Sequence, residues 1–422
     1  MSDAALQDPS LSPLVAQTVR IDDPGPLVSL LPAQGNLAWI RDGEGLVGWG
    51  EVARLDIDGA DRFAAADSWW RGITDQVILR DAVRAPGTGL VAFGSFAFAD
   101  APGTSSLVVP EVVVGRRGDL AWVTTIGIGA IAAPPELRAR RPPSLPAGVV
   151  FADGAVSGAR WESIVADAVR RIGAGDLDKV VLARDLVAEL DAPLDVRWPL
   201  QQLVAEYPRC WTFHVEGLFG ATPEMLVRRE RGLVTSRVLA GTIRRTGDDE
   251  HDLALAGSLA RSSKDLEEHE FAVRSVAEAL APHCSSMNVP ESPFVLHLPN
   301  VMHLATDVTG VIDPADNQPG ADALGLAAAL HPSAAVGGTP TATALALITE
   351  IECMERGRYA GPVGWIDAAG DGEWGIALRS ASVESDRVRL FAGCGIVADS
   401  QPAAELAECQ AKFIPVRDAL SP

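Results

Sequence analysis

The sequence predicts an α+β protein built on large antiparallel sheets, and three observations carry that prediction. Segments of strand character follow one another in runs punctuated by helices, rather than alternating strictly with them, which argues against a doubly wound parallel sheet. The 422 residues are 47% hydrophobic and 22% charged, ordinary for a globular chain with a sizeable core. No self-similarity of solenoid period runs along the chain.

In order, residues 1–25 hold Pro9, Pro13 and Pro24 without periodicity and read as a loosely ordered lead-in. Leu37-Ala38-Trp39-Ile40 and Leu46-Val47-Gly48-Trp49 flank the turn Asp42-Gly43-Glu44-Gly45, a hairpin signature. Asp61 to Val77 has helical spacing. Leu90 to Phe98 and Ser106 to Ile126 read as strands, the second turning at Arg116-Arg117-Gly118. The Pro-rich, basic stretch Pro134 to Pro146 is the internal boundary, so residues 26–150 and 151–422 form two halves of one compact domain. The second half opens with an amphipathic helix, Ala159 to Ile172, and a nearly continuous aliphatic strand, Lys179 to Leu190. Strands follow at Trp211 to Glu216, Met225 to Arg229 and Leu233 to Leu239, then helices from about Asp249 and Ser262. Strands at Val295 to Leu298 and His303 to Val311 precede a helix signalled by Thr339-Pro340-Thr341, with Thr339 as cap and Pro340 in the first turn. Val363 to Ile366, Trp374 to Val383 and Val388 to Ala392 are the last strands, before a helix from about Pro402.

Composition excludes several functions. With 35 basic against 56 acidic residues the net charge is −21, which leaves no basic footprint for nucleic acid or anionic lipid. Met1 to Ser10 carries no basic-then-apolar secretory pattern, and the weakly polar stretch Leu120 to Ala133 is too short to cross a bilayer. Five cysteines without a C-x-x-C pair predict neither a disulfide framework nor a zinc knuckle. A cytoplasmic protein with no membrane or nucleic-acid partner is expected.

Lysine occurs only at Lys179, Lys264 and Lys412, while the other basic residues are arginine. A guanidinium keeps its proton and a buried ammonium can lose one, so a position that must act as a base cannot accept arginine. At least one of the three is therefore expected to do chemistry. Asp265 and Glu268 on one predicted helix, and Glu405 and Glu408 on another, share the i, i+3 spacing that puts each pair on one face. Four carboxylates brought together need a cation or shifted pKa values, and all-oxygen ligands favour Mg²⁺, whereas a solvated helix face explains the same spacing. Glycines frame Ala240-Gly241-Thr242, Gly337-Gly338-Thr339-Pro340 and Gly393-Cys394-Gly395, each readable as a turn or bulge, the last also as an anion cradle after a strand.

Several motifs together carry a resemblance. Asp178-Lys179-Val180-Val181-Leu182-Ala183-Arg184, Ala221-Thr222-Pro223-Glu224-Met225-Leu226, Ala240-Gly241-Thr242-Ile243-Arg244-Arg245 and Ser263-Lys264-Asp265-Leu266-Glu267-Glu268-His269-Glu270 stand in that order. His331-Pro332-Ser333-Ala334-Ala335-Val336-Gly337-Gly338, Ala377-Leu378-Arg379-Ser380-Ala381 and Gly393-Cys394-Gly395-Ile396-Val397 follow. From about residue 155 onward the chain resembles the chorismate-utilising enzymes, the family of anthranilate synthase component I. Gly48-Trp49-Gly50-Glu51 extends a weaker likeness into the first third.

The resemblance implies an ADC synthase-like fold, with antiparallel sheets packed as a sandwich flanked by helices and residues 151–422 as the chorismate-binding catalytic half. Within the family, Lys179 matches the lysine base of members that add water at ring carbon 2, where amino-transferring members typically have glutamine. Ala240 replaces the nucleophilic lysine of aminodeoxychorismate synthase. Ala335 matches isochorismate synthases, where members that eliminate pyruvate tend to carry Thr or Ser. The implied activity is isochorismate synthase, for menaquinone or siderophore biosynthesis. The alternatives are salicylate synthase and, from another class, a non-catalytic Mg²⁺- and anion-binding relic of the fold.

Carried over residue by residue, Lys179 is the general base and Glu224 the general acid. A neutral lysine at pH 7 requires a shift of about 3 units, and Glu224 the opposite tuning. Mg²⁺ is held by Asp265, Glu268, Glu405 and Glu408, with Glu268 and Glu408 as the direct ligands. Gly241 and Thr242 lie near the ring carboxylate. Arg379, Tyr359 and the N–H groups of Gly393 and Gly395 hold the enolpyruvyl carboxylate, with Lys412, His303, Ala335 and Leu378 completing the substrate pocket. Lys264 reads as a solvated helix residue. A monomer with no glutamine amidotransferase subunit is implied. Cys394 departs from the family, which usually has a small residue such as alanine there.

Overall fold

The computed structural model describes residues 13–131, 133–299, 301–313, 320–384 and 386–421. Among these, thirteen strands form one sheet and ten form a second. Pairing is antiparallel throughout, except where Leu14–Ile21 runs parallel to Ile78–Asp81. The predicted hairpin is Asn36–Arg41 with Glu44–Trp49. Its two-residue turn puts Asp42 and Gly43 at φ 50° and 75°, the left-handed pair that matches strand twist.

Both sheets are built from both halves of the chain. In the first, Trp211–Val215 pairs with Asn36–Arg41; in the second, Pro362–Asp367 pairs with Val91–Ser95. The sheets face each other across a core in which Trp39, Phe93, Phe96, Phe213, Phe219 and Trp374 are fully buried. They approach closely at Gly375, where a Cβ would stand 2.9 Å from the Trp39 ring, and Trp39 Nε1 donates to Glu373 across the gap at 2.7 Å. The helix Gly158–Gly173 buries Trp161, Ile164, Val165, Ala168 and Ile172, the i, i+3, i+4 stripe that its sequence predicts. It packs with Pro402–Ala419 on the first sheet, while Ser263–Leu280 packs on the second.

Four expectations are corrected. The lead-in is not loose from Leu14 onward: Leu14–Ile21 pairs residue for residue with Leu120–Ile128, its alternating apolar side chains packed on the core. Residues 1–12 of that lead-in lie outside the described residues. Thr339 is not a helix cap. It pairs with Lys179, its carbonyl accepts from Asp178 N at 2.9 Å, and the helix begins after it as Thr341–Ile351.

Trp374 to Val383 is not one strand. Gly372–Ile376 belongs to the second sheet and Ser380–Glu384 to the first, with the chain crossing between them at Ala377-Leu378-Arg379. Finally, Gly393-Cys394-Gly395 does not follow a strand but lies within one, pairing in register with Ala183, Leu182 and Val181 inside Arg387–Ile396. Gly241, at φ 75°, is a bulge inside Leu233–Arg244, as its glycine allowed.

Candidate active site

The chain crosses from the first sheet to the second at Pro223-Glu224 and back at Ala377-Leu378-Arg379. The crossings brace each other, since Ile376 N donates to Glu224 O at 3.1 Å and Ala221 N to Arg379 O at 3.2 Å. At this seam sits a cavity of about 280 Å³. All sixteen residues predicted for the site line it: Lys179, Glu224, Gly241, Thr242, Asp265, Glu268, His303, Ala335, Tyr359, Leu378, Arg379, Gly393, Gly395, Glu405, Glu408 and Lys412. The side chain of Lys264 lies outside the described residues.

Lys179 begins the strand Lys179–Glu189 with its side chain 2% exposed, and its Nζ stands 2.9 Å from Glu268 Oε1. Glu224 is buried in the same cavity, and burial pushes its carboxyl up to about 7, against the opposing pull of a backbone hydrogen bond and the Lys179 charge. Such a carboxyl still carries its proton in a large fraction of molecules near neutral pH, where an ordinary glutamate has lost it, as a general acid requires.

The four acidic residues arrive on two helices. Ser262 caps Ser263–Leu280 by accepting from Asp265 N, and Pro402 opens Pro402–Ala419. Asp265 and Glu405 thus occupy first turns, where the positive end of the helix offsets their charge. Glu405 accepts from Ser400 Oγ at 2.7 Å, and Glu408 pairs with Lys412 at 2.6 Å. Oxygens of Glu405 and Glu408 lie within 4.8 Å of each other and of Cys394 Sγ. Burial holds that thiol well above its ordinary pKa, which leaves it a poor ligand and the carboxylates as the donors. Carboxylates brought from two helices to one cavity fit a hard divalent cation.

The opposite wall suits an anion. Arg379, at φ 50°, is 8% exposed, and its Nη1 has no hydrogen-bond partner among the described residues. A buried guanidinium nitrogen left without an acceptor is costly unless a ligand supplies one. His303 stands 3.0 Å from Thr242 Oγ1 through Nδ1 and 3.4 Å from Arg379 Nη2 through Nε2. Burial, then the Arg379 and Lys412 charges, hold its ring neutral.

Val181 N donates to Gly337 O at 2.9 Å and Ala183 N to Glu352 at 2.8 Å, both away from Arg387–Ile396. Their register partners Gly395 and Gly393 are therefore non-hydrogen-bonded pairs, whose own N–H groups point away from Lys179–Glu189. Position 393 needs glycine, because a Cβ there would stand 2.8 Å from the Leu182 carbonyl oxygen, while a Cβ at 395 would stand 2.6 Å from Glu268 Oε1 and 2.9 Å from Lys179 Cε and would displace those two side chains.

Sequence reasoning missed Arg356, which also lines the cavity, and its buried partner Glu352. Their i, i+4 spacing was legible, but an exposed helical ion pair has the same spacing. A wider groove of about 1130 Å³, among Arg62, Phe63, Asp100, Asp322 and His331, contains none of the predicted site residues.

Residues 34–421 match the family described as chorismate binding enzyme. The salicylate biosynthesis isochorismate synthase of Pseudomonas aeruginosa is 34% identical over 417 residues, covering 91% of this chain and 84% of that protein. Isochorismate synthase MenF of Bacillus subtilis is 37% identical over 264 residues, 62% of this chain and 55% of that protein, so the match spans little more than half of that relative. The crystal structure of DhbC from Bacillus anthracis superposes with a TM-score of 0.76 at 30% identity, covering 93% of this chain and 98% of that one. On this match, together with the cavity its motifs build, the chain belongs to the chorismate-binding enzyme family.

Proposed function

We propose that the protein is an Mg²⁺-dependent isochorismate synthase, adding water at carbon 2 of chorismate with loss of the carbon 4 hydroxyl. What carries the reading is that one cavity holds both a buried lysine and a carboxyl pushed up to about 7, beside Ala335. A binding relic would need neither group.

Lys179 Nζ takes a proton from the attacking water, and Glu224 gives its proton to the hydroxyl departing from carbon 4, while the ring double bonds shift. Arg379 Nη1, lacking an acceptor, takes the enolpyruvyl carboxylate together with Tyr359 and the Gly393 and Gly395 N–H groups. Gly241 and Thr242 bound the ring-carboxylate side, with His303 fixing the Thr242 hydroxyl. Asp265, Glu268, Glu405 and Glu408 would hold Mg²⁺, which supplies fixed positive charge against a substrate carboxylate.

The test is chromatography of products after incubation with chorismate and Mg²⁺, repeated with EDTA. Isochorismate with Mg²⁺ and no conversion with EDTA is the expected result. Salicylate and pyruvate as main products would transfer the chain to the pyruvate-eliminating members, and unchanged chorismate would make it a relic.

A further inference from the structure

The strand that carries Lys179 has a gap in its ladder. On one edge, residues 180–189 pair continuously with Arg387–Ile396. On the other, Gly338–Thr339 covers only residues 179–180 and Val150–Asp153 only residues 186–189. The Gly337 carbonyl still holds Val181 N at 2.9 Å, but among the described residues no strand reaches the Val181 carbonyl or Ala183 N on this edge.

Side chains fill the gap. Glu352 follows the helix Thr341–Ile351, and Arg356 lies four residues on; they are 1% and 5% exposed. Arg356 binds Glu352 through Nε at 2.8 Å and Nη2 at 2.6 Å. Nη2 also donates to Val181 O at 2.7 Å, and Glu352 accepts from Ala183 N at 2.8 Å. One donor and one acceptor thus stand where a neighbouring strand would supply them. Arg356 Nη1 donates to Val336 O at 2.9 Å, beside Ala335, and its guanidinium lies 4.2 Å from the Phe98 ring centroid.

We propose that Glu352 and Arg356 form a positioning pair that stands in for the missing strand, setting Lys179 and the Ala335-Val336 loop at a fixed separation. The role rests on the isochorismate synthase reading. Arg356 serves through geometry, not charge: five donors in a planar fork reach Glu352, Val181 and Val336 at once, which one ammonium cannot do.

The experiment pairs Arg356→Lys with Glu352→Gln and reads three quantities: kcat and KM for chorismate, melting temperature, and amide hydrogen exchange of the segment containing Val181 and Ala183. The expected result for Arg356→Lys is a kcat 10- to 100-fold lower, with KM within about threefold, and faster exchange at Ala183 N, whose acceptor Glu352 the arginine holds in place. Glu352→Gln, which keeps an acceptor for Ala183 N, loses less of both. Wild-type kcat in a folded Arg356→Lys overturns the proposal. So does a loss confined to KM, which would make Arg356 an anion-binding group, or a lowered melting temperature with kcat intact, which would make the pair merely structural. If the wild type itself leaves chorismate unchanged, the functional reading fails instead. The exchange measurement still decides whether the pair holds the strand edge, and unchanged exchange overturns it.

Discussion

At the scale of single residues, the site depends on which groups can give up a proton. Lys179 is buried against Glu268, a place where an arginine could keep the ion pair but never act as a base. Lys179→Arg should therefore fold and lose roughly 10²- to 10⁴-fold in turnover, read by steady-state rates alongside circular dichroism. Wild-type turnover in that variant would remove the base assignment. Glu224 offers an independent check through stability. Its folded pKa of about 7 lies above the ordinary 4.5, so the native state holds a proton that the unfolded chain has released. Its contribution is fully present below pH 4.5 and is lost as pH rises to 7, with a magnitude of roughly 3 kcal/mol for a buried group. Glu224→Gln should abolish activity and, compared with the wild type, gain stability at pH 8 relative to pH 5. Denaturant titrations at the two values measure this, and an equal difference at both would mean the carboxyl is not held protonated.

At the scale of elements, the acidic pairs were legible as i, i+3 spacings because both members of each sit on one turn of helix. What spacing could not convey is that the leading member of each pair sits in the first turn of its helix and that the two helices pack on different sheets. Ser262 connects the two facts, since its cap fixes the turn on which Asp265 rides. Ser262→Ala should cost about 1 kcal/mol of stability and raise the Mg²⁺ needed for half-maximal turnover by up to about fivefold. Thermal melts and a metal titration read the two effects, and an unchanged Mg²⁺ requirement would uncouple the cap from the site. The sheet crossings were less legible. Trp374 to Val383 reads as one strand from its apolar content, and the break shows only in the pairing of its two ends with different sheets and in the left-handed Arg379 backbone between them. Thr339-Pro340 has the composition of a helix start, yet long-range pairing with Lys179 takes the threonine into a sheet. Local patterns describe which face is buried, whereas partners distant in sequence decide where an element ends.

At the scale of the whole molecule, every predicted site residue lies after residue 178, and the motifs that reveal the family begin near there. That asymmetry in the sequence hides a structural dependence. The second half does not own a complete sheet: removing residues 1–150 would strip the partner of Trp211–Val215 from the first sheet and that of Pro362–Asp367 from the second. Two long ladder edges would open in the middle of the fold, beside the core that Trp39, Phe93 and Phe96 now fill. Each fully buried phenylalanine lost removes roughly 1.5–3 kcal/mol of burial, against a net stability of only about 5–15 kcal/mol for a whole domain. The seam would loosen at once, because Glu224 and Arg379 sit at the two crossings between those sheets. A fragment of residues 151–422 should accordingly be aggregated or protease-sensitive, and inactive toward chorismate. Adding residues 1–150 as a separate chain should restore a protease-resistant complex, if the missing strands are all that is lacking. A fragment that resists protease and turns over chorismate by itself would mean that the catalytic half holds its two sheets together without the N-terminal strands, and that the seam owes its shape to the crossings alone.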